Sequence, residues 1–467
     1  MRYLSEFKKW LAAPVDGHVL GLFRLVFGLF MVFEAWLYYG MGLIEKGLLA
    51  PTVLFKYDGL GWLPLLPKPL MLAILGIMGL SALFIALGVW FRWACWAFVL
   101  SLSFIFFQEK SYYNNHIYLF ILLGVLLSFT NADHFLSLRS RNKGEGGRNV
   151  PRWQQFILQA QFVIVYFYGG LTKLKPDWLF LKEPVTSLVN NFPAGHWLAP
   201  VFKTDLTINL LNYGGLLLDL LAPLLLWYKP LRRWAMIPFA LFHLANSRIF
   251  SDIGIFPYVM LFALILFFET QELPFVRKWA SQQPADDKQP KQKHKAHARQ
   301  TQPSSGIPRT VQITNTPVWV ANVLVGYFVF QLLFPFRGFF LPNPMDWTGI
   351  GKHFSWRMKV DTRHIEEFQF TVQHPVTGQV MAVEVGTFAN EMQILNMAND
   401  ARSVAVFARM LREQAALKGV PDAIVKARIR VGYNGRPAQF FVNPDVDMAS
   451  VTYSPFKKLD WVVPLQE

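Results

Sequence analysis

A lysine, a histidine and two asparagines stand out chemically because they sit at the ends of long apolar runs. Lys173 closes the run Val165-Tyr-Phe-Tyr-Gly-Gly-Leu-Thr-Lys173, and Asn114, Asn115 and His116 open another, Ser111-Tyr-Tyr-Asn-Asn-His-Ile-Tyr118. An ionisable or amide side chain at membrane depth is costly and by default marks function or a polar contact between helices. A lysine in apolar surroundings loses its proton readily and serves as a general base. Lysines at span ends also snorkel into headgroups, but Lys175, just beyond, is the better placed of the two for that. Tyr166, Gly169, Gly170 and Lys173 share one helical stripe, where the glycines let a neighbouring helix or a flat ligand approach closely. His243 and Asn246 are three residues apart and share a face. They read equally as a buried pair tying helices together or as a substrate contact, and Asp219 is open to the same two readings. Arg24 and Glu34 are ten residues apart, roughly 15 Å along a helix, so neither satisfies the other and both read as structural. No His, Glu or Asp set has metal-ligand spacing, and there is no phosphate loop or nucleophile elbow. No metal site is expected.

The elements that must position these groups are membrane helices. Of 467 residues, 53% are hydrophobic and 16% charged, against about 25% charged in an ordinary soluble domain. Aromatic residues make up 16%, which suits lipid-facing and interfacial belts. One cysteine, Cys95, rules out an intramolecular disulfide or a multi-cysteine metal site. Apolar runs approaching the ~20 residues of a span occur near 19–39, 69–90, 93–108, 115–130, 153–172, 208–228, 234–250, 254–268 and 318–336. The expected fold is a polytopic α-helical membrane protein of about nine transmembrane helices with a small C-terminal α+β, β-rich extramembrane domain. Residues 1–270 carry spans one to eight, 271–312 form a basic cytoplasmic linker, 313–336 hold the last span and 337–467 form the exoplasmic domain. The net charge of +15 is clustered at Lys8–Lys9, Arg92, Arg139–Arg152, Lys229–Arg233 and Lys288–Arg299. With a cytoplasmic N-terminus, nine spans put every cluster on the cytoplasmic side. Nucleic acid is therefore a poor reading of the basic charge. The same topology brings Asn114, Asn115 and His116 to the depth of Lys173, near the outer interface. In the tail, 367–374 and 381–386 read as a hairpin, 396–418 as a helix, and 425–433 and 438–442 as strands around Asn434-Gly435.

Five ordered stretches resemble the vitamin K-dependent gamma-glutamyl carboxylase family, including its bacterial homologues in the class of horizontally transferred transmembrane (HTTM) domains. They are SYYNNHIYLFILL from Ser111, VIVYFYGGLTKLKPDW from Val163, GGLLLDL from Gly214, FHLANSRIFSDIGIFPYVM from Phe242 and FSWRMKVDTR from Phe354. The resemblance implies a lysine that deprotonates vitamin K hydroquinone or a related menaquinol. Oxygen addition then yields a strongly basic oxygenated quinone and finally the 2,3-epoxide; that base removes a glutamate γ-proton, and the carbanion captures CO2. Aligned through the Gly-Gly-Leu-Thr-Lys-Leu motif, the base falls on Lys173. The histidine that stabilises the quinone oxyanion falls on His116, with Asn115 beside it. Asn114, Tyr168, His243 and Asn246 are the further candidate contacts. Trp356, Met358 and Arg363 would close the pocket from outside, with Arg363 assigned to the substrate carboxylate. Animal members often carry a second lysine just before the base, where this chain has Thr172. Implied partners are a glutamate-containing peptide or protein on the outer face, a quinone or epoxide reductase, and the bilayer. Two other readings keep the residues and change the outcome: a quinol epoxidase without protein carboxylation, and a non-catalytic quinone-binding or proton-coupled transporter.

Overall fold

The computed structural model describes residues 2–139, 149–197, 199–250, 253–281 and 317–466. An amphipathic helix α1 (Arg2–Ala12) leads into α2 (His18–Gly40), α3 (Lys68–Leu87), α4 (Phe91–Phe106), α5 (Asn115–Ser128) and α6 (Trp153–Leu171). Then come α7 (Asp205–Trp227), α8 (Lys229–Ile249), α9 (Phe256–Phe267) and α10 (Val318–Phe340). Each of the nine expected runs thus holds a helix. Four, α2, α3, α7 and α10, are long and apolar enough to cross a membrane, while α4, α5 and α9 are shorter apolar helices. Helix α6 carries Gln154, Gln155, Gln159 and Gln161, and α8 opens with Lys229, Arg232 and Arg233, which lowers the hydropathy of both. From residue 282 on, the expected basic linker lies outside the described residues; 274–281 form a short helix.

Buried polar groups tie the bundle together. A Cβ at Gly28 would lie 2.5 Å from the Ala86 nitrogen, so only glycine lets α2 and α3 pack this closely. Beside that crossing, fully buried Arg24 donates to the carbonyls of Ile85, Ala86, Phe135 and Leu136 at 2.5–3.1 Å. It supplies donors to the last turn of α3, where helical carbonyls run short of intrahelical partners. Glu34 instead hydrogen-bonds Tyr38, one turn along its own helix. Neither group reaches the other, as their spacing implied.

Strand β1 (Pro14–Asp16) pairs with β2 (Asn149–Pro151) beside the bundle. The tail holds β3 (Arg363–Gln373), β4 (Val380–Val383), α11 (Glu391–Met397), α12 (Ala401–Leu417), β5 (Ile424–Tyr433) and β6 (Gln439–Phe440). The sheet is antiparallel in the order β4-β3-β5-β6. Its inner face packs on α12, with Phe370 edge-on to Phe407 at 4.9 Å. The expected helix 396–418 is two helices. Asp400 is the N-cap of α12, accepting from the Ser403 N–H, and Asn390 and Gln393 form a capping box on α11. Asn434 and Gly435 both have positive φ, 48° and 74°, in a tight turn closed by the Arg436 N–H on the Tyr433 carbonyl at 3.0 Å; β6 follows after a further short stretch.

Candidate functional site

A cavity of about 650 Å³ opens at the end of the bundle where α5 and α9 begin and α6 and α8 finish, and the tail roofs it. Lys173, Asn114, Asn115, His116, His243, Asn246, Met358 and Arg363 all line it. The antiparallel course of α5 and α6 is what brings the Asn-Asn-His cluster and the lysine to one level.

Lys173 is buried and forms an ion pair with Asp219 of α7, the two side chains being 7% and 5% exposed. The paired glycines make this contact possible. A Cβ at Gly170 would sit 2.8 Å from the Leu220 backbone nitrogen, so glycine lets α7 come in close enough for Asp219 to reach the lysine. The Lys173 ammonium also lies 5.0 Å from the Trp178 ring centroid and 5.7 Å from that of Phe242. The lysine's surroundings are therefore rings plus one carboxylate, and this partner is the main feature that spacing alone did not resolve. The available clue was that an intramembrane carboxylate needs a partner, and Lys173 is a cation at matching depth.

His116 sits in the first turn of α5, its ring stacked on Phe256 at 5.6 Å and 22°. The His243 ring nitrogen Nε2 hydrogen-bonds the Tyr166 hydroxyl at 2.7 Å, linking α8 to α6, and Asn246 follows three residues further along the cavity wall. Asn115 donates to the Arg357 carbonyl at 3.0 Å and accepts from the Tyr113 hydroxyl at 2.8 Å, so it anchors the tail to the bundle.

Two predicted residues lie off the main cavity. Trp356 is fully buried and stacks on Tyr118 at 5.0 Å. With Phe354 against Tyr118 at 4.9 Å, it drives a tail loop into the bundle core. Phe354, Trp356 and Lys359 all have positive φ, between 51° and 59°, a conformation costing roughly 1–2 kcal/mol per non-glycine residue. The packing of this wedge holds the strained loop in place. Tyr168 donates to the Leu332 carbonyl and lines a smaller adjoining cavity of about 180 Å³. Arg363 lines the main cavity, but its terminal nitrogens donate to the carbonyls of Ala398, Asp346 and Trp347 at 2.5–2.7 Å. These contacts give it a structural post at the start of β3, in place of a guanidinium held open for a substrate carboxylate.

The roof carries charges that were not singled out from the sequence, and it also claims Lys175, which pairs with Asp346 at 3.2 Å in place of snorkelling into headgroups. Lys110 pairs with Asp400 at 2.6 Å, both side chains being buried, and Lys352 pairs with Asp361 at 2.7 Å. Asp346 takes both Arg357 and Lys175. Burial opposes ionisation of Asp400, yet the Lys110 ammonium holds its carboxyl below the ordinary range. Burial pushes the His353 imidazole down to about 3, so that ring is neutral at physiological pH.

In comparison with known families, residues 12–271 match the HTTM domain. Residues 316–467 match the vitamin K-dependent gamma-carboxylase, lumenal domain. No solved structure matches the chain.

Proposed function

The chain belongs to the vitamin K-dependent gamma-carboxylase family, and from that premise we propose that it is a membrane enzyme coupling quinol oxygenation to glutamate carboxylation. The observation that carries this reading is the buried Lys173–Asp219 pair, in one cavity with His116 and walled by aromatic rings. The cavity residues fit a flat, lipid-soluble hydroquinone: Phe242, Phe256 and Met260 offer apolar faces, and His116 and the ion pair offer polar groups for its oxygens. Vitamin K hydroquinone or a related menaquinol supplies, with O2, the base strong enough to remove a glutamate γ-proton before CO2 adds.

The protein's own contribution is positional and electrostatic. The Lys173 ammonium passes a proton to the Asp219 carboxylate, the neutral Nζ then takes the hydroquinone proton, and His116 donates a hydrogen bond to the oxyanion left behind. The Tyr166–His243 hydrogen bond fixes the wall between α6 and α8. The rings of Trp178, Phe242 and Phe256 around Lys173 and His116 shield that end of the cavity from water, which would quench a strong base. The proposal includes nine membrane crossings, a cytoplasmic N-terminus, and a tail on the outer or lumenal side where a glutamyl peptide or protein arrives. It also includes a separate reductase that regenerates the hydroquinone.

The test gives purified protein the hydroquinone, O2, labelled bicarbonate and a short glutamyl peptide, with Lys173→Ala alongside. Epoxide and incorporated label are expected together, both falling about 100-fold or more in the variant. Epoxide without label would leave a quinol epoxidase and remove the carboxylation half. Neither product from folded protein would overturn the reading and favour a quinone-binding or transport role.

A further inference from the structure

The stretch 176–197 leaves α6 just beyond Lys173 and presents apolar side chains both to the cavity and to the exterior. Val185, Leu188 and Val189 line the cavity. Phe180, Leu181 and Trp197, in the same stretch, are 77%, 51% and 80% exposed. Large apolar groups at such exposure are misplaced in water but suit the boundary between headgroups and acyl chains. Phe339, which shares the small cavity with Leu174 and Lys175 just before the stretch, and Phe340 next to it are 73% and 85% exposed.

The stretch also has a core of its own. Val185, Val189 and Phe192 pack with Trp178, Phe202 and Leu216 in a small cluster separate from the main core of the bundle. Satellite cores of this kind open at lower free energy than the structure they cover. The root of the stretch is fixed more firmly. Trp178 and Asn212 exchange two hydrogen bonds of 3.0 Å, and Asp177 holds Arg436 and Asn434 at 2.7–3.0 Å. The result is a strap with a clamped base beside Lys173 and a lightly held span between bilayer and cavity.

We propose that residues 176–197 lie in the outer membrane interface as the wall through which a quinol bearing an isoprenoid chain reaches Lys173. The ring system passes inward, and the chain remains against Val185, Leu188 and Val189. This rests on the quinol reading above, and it adds the route and the part of the ligand that the strap recognises.

The test measures equilibrium binding and uptake of oxidised naphthoquinones, with and without an isoprenoid chain, by protein in lipid nanodiscs, so that no turnover is involved. Val189→Trp fills the inner face of the strap. It is expected to weaken binding of the chain-bearing quinone about tenfold while leaving the chainless one within about twofold. Phe180→Ser with Trp197→Ser alters only the lipid-facing side. That pair is expected to slow uptake of the chain-bearing quinone about fivefold with little change in its affinity. Thermal unfolding of each variant confirms that it is folded. Equal weakening of both quinones by Val189→Trp, or no weakening, overturns the strap assignment, and so does unchanged uptake in the double variant. If the folded wild type binds the chainless quinone no less tightly than the chain-bearing one, the strap fails and the quinol reading stands. If it binds neither, the quinol reading fails and takes the strap with it.

Discussion

On the bundle side of the cavity, Lys173 pairs with Asp219 and otherwise faces the rings of Trp178 and Phe242. On the tail side the carboxylates and the arginine nearest the cavity hold several partners at once. Asp400 holds Lys110 and caps α12, Asp346 holds Arg357 and Lys175, and Arg363 grips three carbonyls. A charge with one partner keeps reactive capacity, because a ligand can compete for it. A charge with several partners sets shape. In the proposed function the two walls divide the work: the bundle supplies proton chemistry, and the tail supplies a rigid roof over it.

The largest expected effect that would break this division is at Asp219. Asp219→Asn strips the carboxylate from a buried ammonium, and epoxide formation should fall about 100-fold or more. An unchanged rate in folded protein would remove the pair from the chemistry. Asp400→Asn does the equivalent injury to the roof. Breaking this buried pair should destabilise the protein by about 3–5 kcal/mol, measured as a lowered unfolding midpoint. Turnover per folded molecule should stay within about threefold of wild type. A selective loss of turnover with normal stability would move the roof into the chemistry.

A smaller effect comes from His353, whose imidazole is depressed by burial from 6.5 to about 3. The unfolded chain binds this proton below about 6.5 and the folded protein does not. The contribution is therefore present above 6.5 and is lost as pH falls from 6.5 toward 3. His353→Phe retains a ring beside Tyr113, which lies 4.5 Å away, and should unfold at a lower pH than wild type. An identical acid-unfolding profile would show that His353 is charged in the folded protein. The smallest effect is at the exposed Arg428–Glu367 pair on the outer sheet face, where Arg428→Ala should leave the unfolding temperature unchanged within error.

The parts readable from the sequence were those set by local chemistry and by topology. Asn434-Gly435 dictates its turn, and the alternation of spans places His116 and Lys173 at one end. What escaped the sequence depends on crossings between distant segments. Asp219 becomes the partner of Lys173 only once Gly170 lets α7 approach. Arg363 looked like a free cation because carbonyl partners carry no sequence mark. Trp356 looked like a rim residue, whereas stacking on Tyr118 makes it a wedge. The strap escaped notice because prolines at 176, 184 and 193 break it into pieces too short to show periodicity.

The central claim, that proton chemistry resides on the bundle wall and shape on the tail wall, is tested most directly by one paired measurement. Initial rates of quinol epoxide formation would be compared, per folded molecule, in Lys173→Ala and Lys110→Ala. The account predicts a loss of about 100-fold or more in the first and less than about threefold in the second. A Lys110→Ala variant that is folded yet as inactive as Lys173→Ala would contradict it.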